Sequence, residues 1–222
     1  IKNKYPQLPM MLCSGGGGRC DYEALKYFTE FWCSDNTDPY ERLYIQWSMS
    51  KFFPVKAMAA HVTHWNKQVD LKFSVDVAST CKLGFDIDYS KLSDEDKEFC
   101  RLALVNYKRI KSTILDGNQY RLVSPYESNH AAVAYVNAAQ NHAVLFAYDL
   151  HPRYQEPVAK VKLQGLAADK KYQLKEINLK QAKSSLNFDG KVYSGDFLMK
   201  VGLDILSYQD GVSHVVELIA VQ

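Results

Sequence analysis

Two short stretches hold the residues best suited to chemistry. Cys13 and Ser14 run into four consecutive glycines, residues 15–18, and then Arg19. Further on, Ser34-Asp35-Asn36-Thr37-Asp38 follows a short apolar run at 31–33. Glycine lets backbone N–H groups approach a ligand with no Cβ in the way. Cys13 sets a thiol at the entrance of that loop, which also holds Gly16. A phosphate cradle is excluded, because no Gly-Lys-Ser/Thr follows the run. The bland alternative is a flexible surface loop. Asp35 would be delivered to a rim by the strand before it. There a carboxyl group could act as a general acid if burial or a like charge keeps it protonated. The competing reading is an Asx-turn in which Asp35 and Asp38 merely cap a helix entered at Pro39. Residue types alone leave both open.

Other candidates are weaker. His61 and His64 are three apart, but no nearby Cys or carboxylate completes a metal site. We read His61 as a rim residue in a structural role; Trp65 could pack on a sugar, but a lone tryptophan after a strand is more often core. Arg19 and Asp21 are read as an ion pair that fixes the glycine loop. The Asp94-Glu95-Asp96 cluster reads as a solvated helix start. The five cysteines, at 13, 20, 33, 81 and 100, form no Cys-x-x-Cys pair and read as mostly reduced thiols. A net charge of +2 suggests neither nucleic acid nor an anionic membrane as partner. No apolar run approaches the roughly 18–20 residues that span a bilayer, so a soluble protein of unassigned compartment is expected.

The elements that must position these residues fall into two groups. Residues 8–13, 31–33, 55–62 and 82–88 read as strands. Helices are predicted at 21–31, from Pro39 to about 53, at 69–80, and from Asp94 to about 114 with Gly117 as its stop. Four strand–helix units in succession argue for parallel strands with helical crossovers. In a (β/α)8 barrel the rim at the strand C-termini is where active sites lie. Four units make half a TIM barrel. After Gly117 the pattern changes to short alternating runs near 120–124, 131–137, 143–148, 158–163, 171–177, 191–193 and 212–221, with no helical patterning. These predict an antiparallel β-sandwich of seven or eight strands. The expected division is therefore 1–117 and 118–222.

The motifs bear a specific likeness. Cys13-Ser-Gly-Gly-Gly-Gly-Arg-Cys-Asp21 and Trp32-Cys-Ser-Asp-Asn-Thr-Asp38 resemble the Cys-Ser-Gly-Gly-Gly-Gly-Arg-Phe-Asp and Trp-Thr-Ser-Asp-Asn-Thr-Asp runs of the α-galactosidases of glycoside hydrolase family 36. Asn36-Thr-Asp-Pro-Tyr-Glu-Arg-Leu43, Gly84-Phe-Asp-Ile-Asp88, Tyr120-Arg-Leu-Val-Ser-Pro125 and Tyr193-Ser-Gly-Asp196 extend the likeness along nearly the whole chain. Departures are Cys20 for an aromatic residue, Cys33 for Thr, Met11-Leu12 for Glu-Ser, and the segment after Val62, which lacks the family's Pro-Asn-His-Gln. These departures bear on leaving-group specificity more than on the chemistry.

The resemblance implies a retaining glycosidase acting on α-galactoside oligosaccharides, with no metal or organic cofactor. Asp35 then matches the general acid/base, and Cys13, with Gly16, matches a galactose contact. The family's nucleophile is an Asp at the end of the fourth barrel strand, in a Lys-x-Asp-x-Asn-like motif absent here. The chain therefore resembles strands five to eight plus the C-terminal β-domain of a longer protein, inactive by itself. Its unpaired sheet edges would favour self-association, as a homo-oligomer, or pairing with the missing half. A non-catalytic sugar-binding or scaffold fragment, or a retaining glycosidase for another α-linked sugar, are the alternatives.

Overall fold

Four short strands pair in parallel and in chain order: β1 (Met11–Leu12), β2 (Glu30–Trp32), β3 (Met58–Thr63) and β4 (Lys82–Asp86). The structure is a computed structural model and describes residues 1–13, 15–65 and 69–221. Parallel neighbours need long crossovers, usually helical. Here α1 (Pro39–Met49) joins β2 to β3, α2 (Leu71–Ala78) joins β3 to β4, and α3 (Asp94–Asp116) follows β4. The starts of these helices are written in the sequence. Asp38 caps α1 by accepting the N–H groups of Tyr40 and Glu41 at 3.0 and 3.2 Å, with Pro39 in the first turn. Asp70 caps α2 through the Lys72 N–H. Ser93 caps α3, whose first turn carries Asp94, Glu95 and Asp96 at the positive end of the helix dipole.

One predicted helix is absent. The 21–31 segment holds only a 3-10 turn at Ala24–Lys26. Asp21 does accept the Ala24 N–H, at 2.7 Å, as a helix cap would. The glycine loop, however, uses much of the crossover, and Thr29 is already pinned beside Met10 by paired bonds of 2.8 to 3.1 Å. Too few residues remain for a helix. No Arg19–Asp21 ion pair forms among the described residues.

The rest of the chain builds a six-stranded antiparallel sheet in the order β5-β6-β7-β10-β8-β9. Its strands are β5 (Asn118–Val123), β6 (His130–Val136), β7 (His142–Asp149), β8 (Lys171–Ile177), β9 (Val192–Ser194) and β10 (Val212–Val221). Beside β9 lies a short helix, α4 (Gly195–Lys200), capped by Ser194, which the sequence did not suggest. The 158–163 run is extended, with Val161 and Leu163 buried and Lys160 and Lys162 exposed. It makes one isolated bridge, between Val161 and Leu203, and one further backbone bond from the Leu163 N–H to the Leu198 carbonyl at 3.0 Å, and prolines at 152 and 157 remove backbone donors from the chain leading into it.

The sheet is the middle layer of a sandwich, and its alternation sorts side chains to two cores. Val133, Tyr135, Val144, Phe146, Tyr148 and Val215 join residues of α2 and α3 in one cluster. Ala134, Leu145, Tyr172, Leu174, Val216 and Leu218 pack against Leu163, Phe188, Leu198 and Ile205 in the other. Covered on both faces, β6 and β7 read as nearly unbroken apolar runs. Polar clamps tie the first core together. Asp76 on α2 is fully buried and accepts bonds from Lys72, Ser213 and Asn178 at 2.5, 2.7 and 2.8 Å. Glu217 of β10 accepts the Arg109 guanidinium of α3 at 2.6–3.1 Å and bonds to His142 Nε2 at 2.9 Å. The parallel sheet is thereby held against the antiparallel one. Among the described residues no helix is long and apolar enough to cross a membrane.

Candidate active site

The C-terminal ends of β1 and β2 bring the two sequence motifs together. Leu12 pairs with Phe31, so Cys13 and the glycine loop leave the sheet next to the segment 33–38. Contact is made by backbone. Gly16 is buried with φ +63°, and a Cβ there would lie 3.2 Å from Ser34 Cα and 3.5 Å from the Asp35 nitrogen. At Gly17 a Cβ would come within 2.6 Å of the Cys33 carbonyl oxygen. The glycines are thus not a free surface loop. They let the chain lie against the backbone that carries Asp35. Cys13 is exposed at the entrance of the loop.

The turn at 34–38 separates its two carboxylates by role. Ser34 Oγ accepts the Asn36 N–H, and Asn36 Oδ1 accepts the Asp38 N–H. Asp38 then caps α1. Asp35 takes no part in the cap. Its carboxylate is exposed, and Oδ1 accepts the indole N–H of Trp32 at 2.9 Å.

Beneath the rim lies a support that the sequence reading missed. Arg42 on α1 is 2% exposed and pairs with no carboxylate among the described residues. It donates instead to the Ser34 carbonyl at 3.1 Å, the Ala59 carbonyl at 2.8 Å and Gln46 Oε1 at 3.3 Å. Its guanidinium lies 5.0 Å from the Trp32 ring. One buried cation therefore fixes the ends of β2 and β3 and the face of the indole that holds Asp35. Burial lowers its pKa from the ordinary arginine value. Burial also pushes the Cys33 thiol up to about 11, against the opposing charge of Arg42, so this thiol stays protonated and serves as packing.

His61 and His64 sit where expected and hold no metal group; among the described residues no cluster of three such ligands occurs. His61 packs 4.7 Å from Trp32, ring centre to ring centre. On its other side Gly84 gives it room, since a Cβ there would lie 2.4 Å from His61 Cδ2. Burial lowers its pKa, which favours the neutral ring. His64 Nε2 accepts the Asp88 N–H at 2.7 Å and so links the rims of β3 and β4. Trp65 is not core: it is 82% exposed. Asn66 to Gln68 lie outside the described residues.

A large cavity lies elsewhere. It measures about 1020 Å³, lies between α2 and the antiparallel sheet, and is lined by Lys72, Glu176, Lys180, Tyr208 and His214 among others. It contains none of Cys13, Gly16 or Asp35.

This geometry agrees with what the chain is similar to. The Melibiase family model matches residues 1–117, and that of the glycosyl hydrolase family 36 C-terminal domain matches 130–218. The chain belongs to glycoside hydrolase family 36. Among the relatives, α-galactosidase 1 of Pediococcus pentosaceus is 35% identical over 97% of this chain, which spans 28% of that protein. The crystal structure of the family 36 α-galactosidase AgaA from Geobacillus stearothermophilus superposes with a TM-score of 0.88 at 31% identity, covering all of this chain and 30% of that one. A variant of AgaA solved in complex with raffinose gives 0.87 at 30% identity, covering 99% of this chain and 30% of its own. The chain thus spans less than a third of the length of these family 36 relatives. Its parallel and antiparallel sheets match part of a TIM barrel and the β-sandwich beside it.

Proposed function

We propose that this chain supplies strands five to eight of the catalytic barrel, residues 1–117, and the C-terminal β-domain, residues 118–222, of a retaining α-galactosidase. The observation that carries the reading is the division of labour at 34–38. Asp38 does the capping, and Asp35 is left at the rim with one oxygen held by Trp32 and its backbone against Gly16. A carboxyl group fixed in place but unused by the fold is what proton transfer requires.

In this reading Asp35 gives its proton to the glycosidic oxygen as the carboxylate nucleophile, supplied by the other half of the barrel, bonds to the anomeric carbon. The leaving sugar departs as an alcohol. Asp35, now ionised, removes a proton from water as the water oxygen attacks the same carbon. Galactose is released with its configuration retained and both carboxyl groups are restored. Cys13 and the amides around Gly16 bind galactose hydroxyls. The substrate class is terminal α-linked galactose in oligosaccharides, in keeping with the raffinose complex of AgaA. The 222 residues alone lack the nucleophile and do not turn over.

The test is Asp35→Ala in the intact enzyme. Hydrolysis of oligosaccharides, whose leaving groups need protonation, should fall far more than hydrolysis of activated aryl α-galactosides. Azide should restore part of the aryl activity by attacking the covalent intermediate. Equal losses on both substrates, without azide rescue, would make Asp35 a structural residue.

A further inference from the structure

Trp65 is an anomaly that the fold does not explain. It follows β3 by two residues, at the same rim as Asp35, and 82% of it faces solvent. A tryptophan side chain carries on the order of 200 Å² of surface, and exposing it in water without purpose is unfavourable. Its backbone, by contrast, is fixed. The Trp65 N–H donates to Thr63 Oγ1 at 3.3 Å, and Thr63 Oγ1 shares a 2.8 Å hydrogen bond with Thr37 Oγ1. Thr37 is buried in the turn that carries Asp35. On the other side, His64 is tied to the Asp88 N–H at 2.7 Å. A free ring on a held backbone is a rigid aromatic surface that loses little conformational freedom when it is covered.

We infer that Trp65 is the platform on which the leaving-group sugar of the substrate packs, making it the residue of this chain that favours oligosaccharides over galactosides with small leaving groups. This rests on the assignment of Asp35 as proton donor. The donor must reach the glycosidic oxygen, so the leaving group lies on its side of the bond, and the loop coupled to the Asp35 turn through Thr37 and Thr63 borders that space. Sugar rings present C–H faces that match an aromatic plane.

The intact enzyme carrying Trp65→Ala or Trp65→Phe should be compared with wild type on raffinose and on α-galactosyl fluoride. The fluoride needs neither a proton nor a sugar platform to depart. For Trp65→Ala, kcat/KM on raffinose should fall about tenfold or more, the kinetic equivalent of one lost aromatic contact. Turnover of the fluoride should stay within about twofold. Trp65→Phe should recover part of the raffinose activity. An unchanged raffinose rate would overturn the inference. So would a parallel fall on both substrates, with or without a change in oligomeric state, since that would make Trp65 a packing residue. Failure of the wild-type enzyme on both substrates would remove the α-galactosidase reading and this inference with it. That outcome is distinguishable because it needs no substitution.

Discussion

Placing an alanine at each of Gly15, Gly16 and Gly18 separates three effects within one loop. Gly15 and Gly16 both have φ +63°, a conformation that costs an L-residue roughly 1–2 kcal/mol. Alanine also restricts the unfolded chain, which offsets roughly 0.4–1 kcal/mol. Gly15→Ala has open space for its methyl group, so its net loss should be about 1 kcal/mol or less. Gly16→Ala bears the same backbone cost and adds a methyl 3.2 Å from Ser34 Cα and 3.5 Å from the Asp35 nitrogen. Both neighbours are backbone, so relief requires the 34–35 segment to move by a few tenths of an ångström. A misplacement of about 1 Å can cost about a hundredfold in rate, so a fraction of that should cost about tenfold. Gly18→Ala meets nothing and has no positive φ; it should be neutral or slightly stabilising. Urea unfolding and raffinose turnover of the three intact variants decide the matter. The reasoning requires Gly15→Ala and Gly16→Ala to share a backbone penalty, with only Gly16→Ala losing activity about tenfold. Equal activity in those two variants would refute the claim that the glycine loop sets the position of Asp35.

Two further outcomes follow from the same structure. Trp32→Phe keeps the ring between Arg42 and His61 but removes the N–H that Asp35 Oδ1 accepts; raffinose turnover should fall with little loss of stability, and a large drop in the unfolding midpoint would instead assign Trp32 to packing. For Glu217, burial alone would raise the carboxyl pKa, but hydrogen bonds from His142 and Arg109 and the Arg109 charge bring it from 4.5 down to about 2. A folded pKa below the unfolded one stabilises fully above pH 4.5, and that stability is lost as pH falls towards 2. Discounted for a partner, Arg109, that is half in solvent, the pair contributes about 2 kcal/mol. Glu217→Gln should therefore unfold more easily at pH 7 by about that amount, with the gap to wild type narrowing as pH falls from 4.5 towards about 2. A pH-independent gap would show that the lost stability is not linked to ionisation of Glu217.

What the sequence disclosed depended on whether a local rule decided each feature. Pro39 after Asp38 and the acidic turn after Ser93 mark helix starts by hydrogen bonds made within three residues, and both caps form; Asp70, which caps α2, falls inside the helix expected at 69–80. Parallel pairing followed from alternation of strand and helix, again a local signal. The 21–31 segment has a valid cap in Asp21 but lost its helix to a distant demand, the pairing of Thr29 with Met10. Trp65 is exposed where a core position is the commoner one, because an isolated tryptophan after a strand carries no sign of which side it faces. Arg42 was invisible for a related reason. A buried arginine is expected to show a carboxylate partner, and this one is satisfied by the carbonyls of Ser34 and Ala59, whose proximity exists only once β2 and β3 are paired. The glycine loop lies between these cases. Its composition announced close approach, but to a ligand. The structure shows that much of the approach is to the protein's own backbone at 33–35. The two uses are compatible: a loop that must lie against the strand carrying Asp35 leaves its remaining amides, and Cys13 at its entrance, on the rim where Asp35 stands.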